Sequence, residues 1–146
     1  MGELYNSIFE IDLRVLLLLA STPLKSMSSD KILYFDFVIC YGREFEIGDY
    51  NLHGDNSYKF SELALRKTTI NDSIKDLVVK GYICVETING FTYKISSKGI
   101  EYITSFEDEY TIEYEKFAEK AFEKYYDYSE KQLLSLINNK SFMSRR

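Results

Sequence analysis

The chain has 146 residues and a formal net charge of −5, and 45% of its residues are hydrophobic while 28% are charged. This balance is typical of a globular chain and excludes an intrinsically disordered one, and a chain of this length can bury a core without disulfides or metals. The negative net charge argues against DNA binding by the chain on its own, since proteins that bind DNA without a partner usually have a positive net charge or a basic face.

The first third of the chain predicts two helices and a loop. Apolar residues occupy nearly all sides of Phe9–Ser21, which predicts a central, buried helix that ends before Pro23. Ser28-Ser29-Asp30 is a good N-cap cluster for a second helix that runs to about Tyr41. The glycine and Asp/Asn content of Gly42–Asn56 is typical of a loop.

Two further helices are predicted before a hairpin. Phe60–Arg66 has the composition of a short helix, and Thr68–Lys80 carries apolar residues at helical spacing behind a threonine cap. Gly81 stands in the usual position just past a helix end. We place the two strands of a β-hairpin at Tyr82–Thr87 and Phe91–Ile95, because Asn89-Gly90 between them is the preferred pair for a type I′ turn.

The remaining residues predict a helical carboxyl-terminal part. Ser96-Ser97 can cap a helix over Lys98–Thr104, and Glu107–Asn138 is one long helix or two. The tail from Asn138 onward is polar, and we expect it to be frayed. The segment Glu107–Asn138 is mostly charged, but one of its faces carries an apolar stripe. We expect the stripe either to dock on its own domain or to pair with a partner helix. Its members are Tyr110, Tyr114, Phe117, Ala121 and Tyr125.

The predicted order of elements is that of a winged helix. Three helices, a tight hairpin and a helix give a mainly α fold with a small β-hairpin. We expect a winged helix-turn-helix domain over residues 1–105 and a carboxyl-terminal helical extension over residues 106–146. The stretch Leu77–Ile103 resembles the wing of MarR- and PadR-like proteins, with Gly81, Asn89-Gly90 and Ser97-Lys98-Gly99 in matching places.

Motifs for chemistry are scarce in the sequence. His53 is the single histidine, and no Cys-x-x-Cys, GxxxxGK[ST] or GxGxxG motif occurs. We therefore expect no catalytic residues, no metal and no cofactor, and a His53 that packs or caps rather than binding a metal beside Asp55. Cys40 and Cys84 lie in apolar stretches, where Cys usually acts as a small buried hydrophobe.

Asp36 lies inside an apolar helix, where a buried acid needs a partner. Arg14 or Arg43 could supply it, and a structural ion pair is the favoured interpretation. The absence of a basic leader at the start and the shortness of the apolar run Val15–Ala20 favour a cytoplasmic protein without membrane contact.

The third helix is a candidate contact surface. Its exposed start could touch DNA phosphates or base edges, although Asp72 and Asp76 would repel phosphates, so a solvated or protein-binding face competes with this interpretation. The candidate contacts are Arg66, Lys67, Thr69, Asn71 and Lys75.

Three runs carry a closer resemblance, over roughly residues 5 to 115. They are Asp12-x-Arg14 to Leu19 with Ser29–Ile32 and Tyr34-x-Asp36-Phe37; Leu52–Glu62 with Arg66; and Leu77–Gly81 with Gly90–Gly99. Together they resemble the middle-component proteins of bacterial ABC-three-component systems, which include Lamassu-type anti-phage operons. The most specific stretch is Leu52-His53-Gly54-Asp55-Asn56, a candidate partner-contact loop.

The resemblance implies a role without catalysis. Such middle components accompany an SMC- or Rad50-like ABC ATPase and an effector that is often a nuclease, so we expect a subunit that bridges or scaffolds these partners, with DNA reached through the complex. A MarR- or PadR-like homodimeric transcriptional regulator is the alternative, and it would need two half-sites one helical turn apart.

Overall fold

A computed structural model describes residues 7–54, 59–87 and 89–144 of the chain. Six α-helices and one β-hairpin are assigned in these ranges, which makes the described fold mainly α. In chain order they are α1 (Ile8–Ser21), α2 (Ser29–Cys40), a short 3₁₀ turn (Lys59–Glu62), α3 (Leu63–Val79), β1 (Ile83–Glu86), β2 (Thr92–Ile95), α4 (Ser97–Ile103), α5 (Glu109–Tyr125) and α6 (Glu130–Ser144).

The first two helices begin where the sequence predicts them. The hydroxyl of Ser28 accepts a hydrogen bond from the backbone N–H of Lys31 at 3.2 Å, so the cap of α2 is the first residue of the predicted cluster. All residues from Ile11 to Leu19 are buried, so α1 is the central helix of the fold.

Helix α3 differs from the prediction at its start. It runs without a break from Leu63 to Val79, so neither Thr68 nor Thr69 caps a separate helix. The hydroxyl of Thr69 instead donates to the backbone carbonyl of Arg66 at 3.0 Å, within the helix. The end of α3 is as predicted, because Gly81 has a φ of +81° and the two residues after the cap bond back to the last turn.

The hairpin is present, but its turn is longer than two residues. Ile83 pairs with Ile95 and Glu86 pairs with Thr92, which leaves residues 87–91 to connect the strands. Asn89 and Gly90 both have positive φ, as expected for the turn, yet the strand register excludes a two-residue connection. Met27 extends the sheet, because it exchanges backbone hydrogen bonds with Tyr93 at 2.8 and 3.0 Å.

The carboxyl-terminal part forms two helices. They are joined by a short link that ends in a reciprocal cap, in which Ser129 and Gln132 each bond the other's backbone N–H, at 3.1 and 2.8 Å. Helix α6 continues to Ser144, so the expectation of a frayed tail from Asn138 is wrong for residues 138–144. The buried Leu133 and Ile137 and the half-buried Leu136 lie just before this stretch and hold α6 against the core.

A single hydrophobic core unites the described elements. Helix α5 packs on α1 and α2, and α6 packs on α2, so the carboxyl-terminal helices share the core of the preceding part. Cys40 is buried as expected, whereas Cys84 is exposed because it lies on the outer face of β1 opposite Lys94. Within the described residues, no helix has the length and apolarity that crossing a membrane requires.

Candidate functional site

The most deeply buried charged group is the carboxylate of Asp36 on α2, which has no exposed surface. Arg14 Nε donates to it at 3.0 Å, Arg66 Nη1 at 2.9 Å and the hydroxyl of Tyr114 at 2.8 Å. Burial alone raises the pKa of this carboxyl, but the guanidinium groups of Arg14 and Arg66 hold it below its ordinary value. The predicted ion pair between Asp36 and Arg14 is confirmed, and Arg66 rather than Arg43 is the second cation.

His53 extends this cluster from the loop after α2. Arg66 Nη2 lies 3.0 Å from His53 Nδ1, and a guanidinium can only donate, so Nδ1 accepts and the ring proton is on Nε2. Nε2 faces the hydroxyl of Tyr110 at 2.9 Å and the thiol of Cys40 at 3.4 Å. Burial, Arg14 and Arg66 lower the pKa of His53 to about 2, so the imidazole is neutral at physiological pH.

A second carboxylate, that of Glu62, lies at the edge of the cluster and balances the charge of the second arginine. Glu62 accepts a hydrogen bond from the hydroxyl of Tyr41 at 3.0 Å and lies 3.9 Å from Arg66 Nε. The Arg66 guanidinium also lies over the rings of Tyr41 and Phe37, at 5.4 and 5.8 Å from their centroids. Two arginines therefore meet two carboxylates, one fully buried and one at the rim.

This arrangement is suited to holding elements together rather than to chemistry. Both ring nitrogens of His53 bond protein groups, and burial raises the pKa of the Cys40 thiol to about 11, so the thiol stays protonated. In the ranges that the structure describes, no group of three or more His, Cys, Asp or Glu side chains could hold a metal ion. We call these residues the Asp36 cluster; its members are Arg14, Asp36, Cys40, His53, Glu62, Arg66, Tyr110 and Tyr114.

Arg66 is the clear correction to the predicted contact surface of the third helix. It is 5% exposed because its guanidinium turns inward to Asp36 and His53, so it cannot contact DNA or a partner. Lys67 and Lys75 are exposed, and Thr69 and Asn71 are half-buried, so a contact role for these four stays a prediction.

The candidate contact loop is also turned partly inward. Leu52 is half-buried against the core and the His53 ring faces Arg66, while Gly54 is exposed. Asp55 and Asn56, and with them the alternative of a metal site that includes Asp55, lie outside the described residues. Arg66 and Tyr110 hold the two ring nitrogens of His53 within the protein, as expected for a histidine that packs.

The apolar stripe of α5 docks on its own chain. Tyr114 and Ala121 have no exposed surface, and the Tyr125 hydroxyl donates to the carbonyl of Phe45 at 2.8 Å. The described contacts correspond to the first of the two predicted roles, docking on the domain, and leave the stripe little exposed surface for a partner helix. The stripe is enclosed because the loop after α2 folds over it; its members are Tyr110, Tyr114, Phe117, Ala121 and Tyr125.

Four residues that carry the family resemblance meet in one place. Arg14 and Asp36 come from the first of the three runs and His53 and Arg66 from the second, yet all four form the centre of the Asp36 cluster. Sequence reasoning did not find Arg66 as a core residue. The signal for it was available, because Arg66 stands one turn before Ile70 and two turns before Ile74, on the buried face of α3.

The comparison with family models agrees with the resemblance. The model of the ABC-three component (ABC-3C) system Middle Component 2 matches residues 4–146. Searches of the curated proteins and of the solved structures find no match. Because the match extends over nearly the whole chain, the protein belongs to the ABC-3C system Middle Component 2 family.

Proposed function

We propose that this protein is a non-catalytic, winged-helix subunit of a Lamassu-type anti-phage defence complex, in which it bridges an SMC- or Rad50-like ABC ATPase and its effector. The observation that carries the proposal is the family match over residues 4–146, since a middle component acts with the other components of its system. The ATPase supplies ATP hydrolysis, and this chain supplies a rigid surface.

The winged-helix assignment rests on the connection between α1 and α2. In a winged helix, a short strand between the first two helices pairs with the wing. Met27 lies between α1 and α2 and forms an antiparallel bridge with Tyr93 of β2. Together with the order of three helices, hairpin and helix, this bridge favours a winged helix over other small helical folds.

The non-catalytic role is supported by the state of the buried polar groups. In the Asp36 cluster the carboxylate stays ionised, the thiol stays protonated and His53 stays neutral across physiological pH. A general acid or base needs a pKa near the working pH and an open path to substrate. None of these three groups meets the first requirement.

Direct DNA binding by the isolated chain is weakly supported. The exposed face of α3 mixes charges, because Lys67 and Lys75 share it with Asp72, and Lys80 at its end ion-pairs with Asp76 at 2.8 Å. Mixed charges release few counterions from DNA. For the regulator alternative, the stripe of α5 is not free to serve as a dimer seam, since it is enclosed in the chain's own core.

Co-purification tests the proposal. The chain, affinity-tagged and co-expressed with the components encoded beside it, is purified and weighed by mass photometry, and duplex DNA is titrated onto the isolated chain at low and physiological salt. We expect the ABC ATPase to be recovered and the isolated chain to bind DNA weakly. A homodimer that binds its own promoter tightly, with no ATPase recovered, would instead make the protein a transcriptional regulator.

A further inference from the structure

A groove of about 420 Å³ lies between the end of α1 and the second half of α5. Its floor is the buried ring of Phe122, and its apolar walls are the exposed Pro23 and Tyr126, which is 49% exposed. We call it the Tyr126 groove; it is lined by Ser21, Pro23, Glu119, Phe122, Glu123 and Tyr126.

A row of carboxylates borders this groove. Glu115, Glu119 and Glu123 follow one another at intervals of four residues, so they stand on the same face of α5 and repel each other. Burial and the neighbouring Glu119 raise the pKa of Glu115. Within the described part of the chain, no ion pair joins any of the three to a cation. The three carboxylates of the row thus have no ion-pair partner of their own among the described residues.

The lysines of α5 do not neutralise the row from inside the chain. Lys116, Lys120 and Lys124 each follow one of the glutamates by one residue, which places them roughly 100° further around the helix. Lys124 is held by Glu46 of the loop after α2, at 3.3 Å. The lysines therefore lie to one side of the row, and only the carboxylates Glu119 and Glu123 line the apolar groove.

We propose that the Tyr126 groove binds an amphipathic, basic helix of another component of the same ABC-3C system. An apolar side chain of that helix enters between Pro23 and Tyr126, and Lys or Arg residues one turn apart face Glu119 and Glu123. This is the helix-in-groove mode of recognition, with charge complementarity fixing the register. The inference deepens the proposed function, because it rests on the presence of a second component.

A second copy of the chain fits this groove less well than a basic partner. A two-fold dimer places the same patch of both subunits against itself, so the carboxylate row would meet another carboxylate row. The net charge of −5 adds to that repulsion. Charge thus favours a partner of opposite sign over self-association.

Photo-crosslinking in the native assembly tests the inference. The full set of components is expressed with p-benzoylphenylalanine in place of Tyr126, or in place of Val79 as a control site that is 86% exposed at the end of α3. The crosslinked peptide is then mapped by mass spectrometry. We expect position 126 to crosslink to one segment of another component that carries Lys or Arg three or four residues apart.

Charge reversal supplies the matched variants. Glu119→Arg with Glu123→Arg should reduce the crosslink about tenfold or more, because like charges then face each other across the interface. Glu101→Arg with Glu107→Arg makes the same change in net charge at exposed positions outside the groove and should leave the crosslink unchanged. Circular dichroism checks that both double variants are folded.

The other results overturn the inference. These are a crosslink to a second copy of this chain, a crosslink to a segment without basic residues, no crosslink at all, and a yield that ignores the charge reversal. If the ABC ATPase co-purifies and any of these results appears, the groove assignment fails while the proposed function stands. If no other component co-purifies, the proposed function itself fails.

Discussion

His53 Nε2 lies 2.9 Å from the hydroxyl of Tyr110, a residue 57 positions further along the chain. The other ring nitrogen accepts from Arg66, so one neutral imidazole joins the loop after α2 to α3 and α5. The loop after α2 contains the Leu52–Asn56 stretch that carries the family resemblance. Because its His53 points into the protein, the loop connects α3 to α5. Removing the imidazole should therefore lower the free energy of unfolding.

We expect His53→Ala to lower the free energy of unfolding by about 1–3 kcal/mol, because Arg66 loses an acceptor in a buried site. Tyr110→Phe removes one hydroxyl and should cost less. Urea unfolding followed by circular dichroism measures both variants. Lys75→Ala, at an exposed position of α3, is the control and should stay within about 0.5 kcal/mol. An unchanged urea midpoint for His53→Ala would show that the imidazole does not stabilise the contact between the loop, α3 and α5.

Asp36→Asn should be more damaging than any other single change in the cluster. It leaves the guanidinium groups of Arg14 and Arg66 buried without their common counter-charge, at a cost of about 3–5 kcal/mol. Asp30→Asn makes the same replacement on α2, where the carboxylate is partly exposed and lies 3.9 Å from Lys67, and it should cost at most about 1 kcal/mol.

Denaturant unfolding compares the two aspartate variants. If Asp36→Asn does not fold, Tyr114→Phe provides a milder probe of the same carboxylate, since it removes one donor at 2.8 Å. Equal losses for Asp36→Asn and Asp30→Asn would contradict the importance of the buried charge.

Local signals predicted the elements well, and long-range contacts were the part that the sequence did not reveal. The cap at Ser28 and the stop at Gly81 depend on neighbouring residues, and both are where the pattern placed them. The break expected before Thr68 is absent, because packing of Ile70 and Ile74 with the inward Arg66 holds α3 continuous. Propensity at two threonines is weaker than burial of a whole helix face.

The centre of the site was foreseen only in part. Asp36 in an apolar helix required a cation, and Arg14 was one of the two candidates. The periodicity of α3 could have placed Arg66 on the buried face, but its pairing with Asp36 and the position of His53 depend on how α3 and the loop approach α2. No local pattern encodes that approach. The same reason applies to the α5 stripe, whose covering loop lies more than 60 residues earlier in the chain.

Stability should fall in mild acid because His53 is buried in its neutral form. Its pKa is lowered from 6.5 to about 2 by burial and the two guanidinium groups, so the unfolded chain binds a proton that the folded chain does not. The stabilisation is present above pH 6.5 and is lost as the pH falls toward 2. For one such group the loss is about 2 kcal/mol between pH 7.5 and pH 5.

The comparison of the wild type with His53→Ala isolates this effect. Unfolding free energies at several pH values should converge as the pH falls, because the variant has no imidazole to protonate. The Asp36 carboxyl has a lowered pKa too, but it titrates in more acid solution and is common to both proteins. Parallel pH profiles for the two proteins would contradict a buried neutral His53.

The loop after α2 and the α5 stripe meet where Gly48 faces Phe117. A Cβ built at Gly48 would lie 2.5 Å from the Cζ atom of the Phe117 ring, closer than real contacts allow. Gly48→Ala should therefore lower the free energy of unfolding by about 1–3 kcal/mol through overpacking.

Phe117→Leu opens a small space at the same point and should be destabilising on its own. In the double variant the added methyl group occupies part of that space, so the two losses should sum to more than the measured effect, with a coupling of about 0.5 kcal/mol or more. If the losses of unfolding free energy in a urea-unfolding cycle are strictly additive, the loop moves away from α5 with no loss of stability. The contact between Gly48 and Phe117 then does not keep the stripe covered.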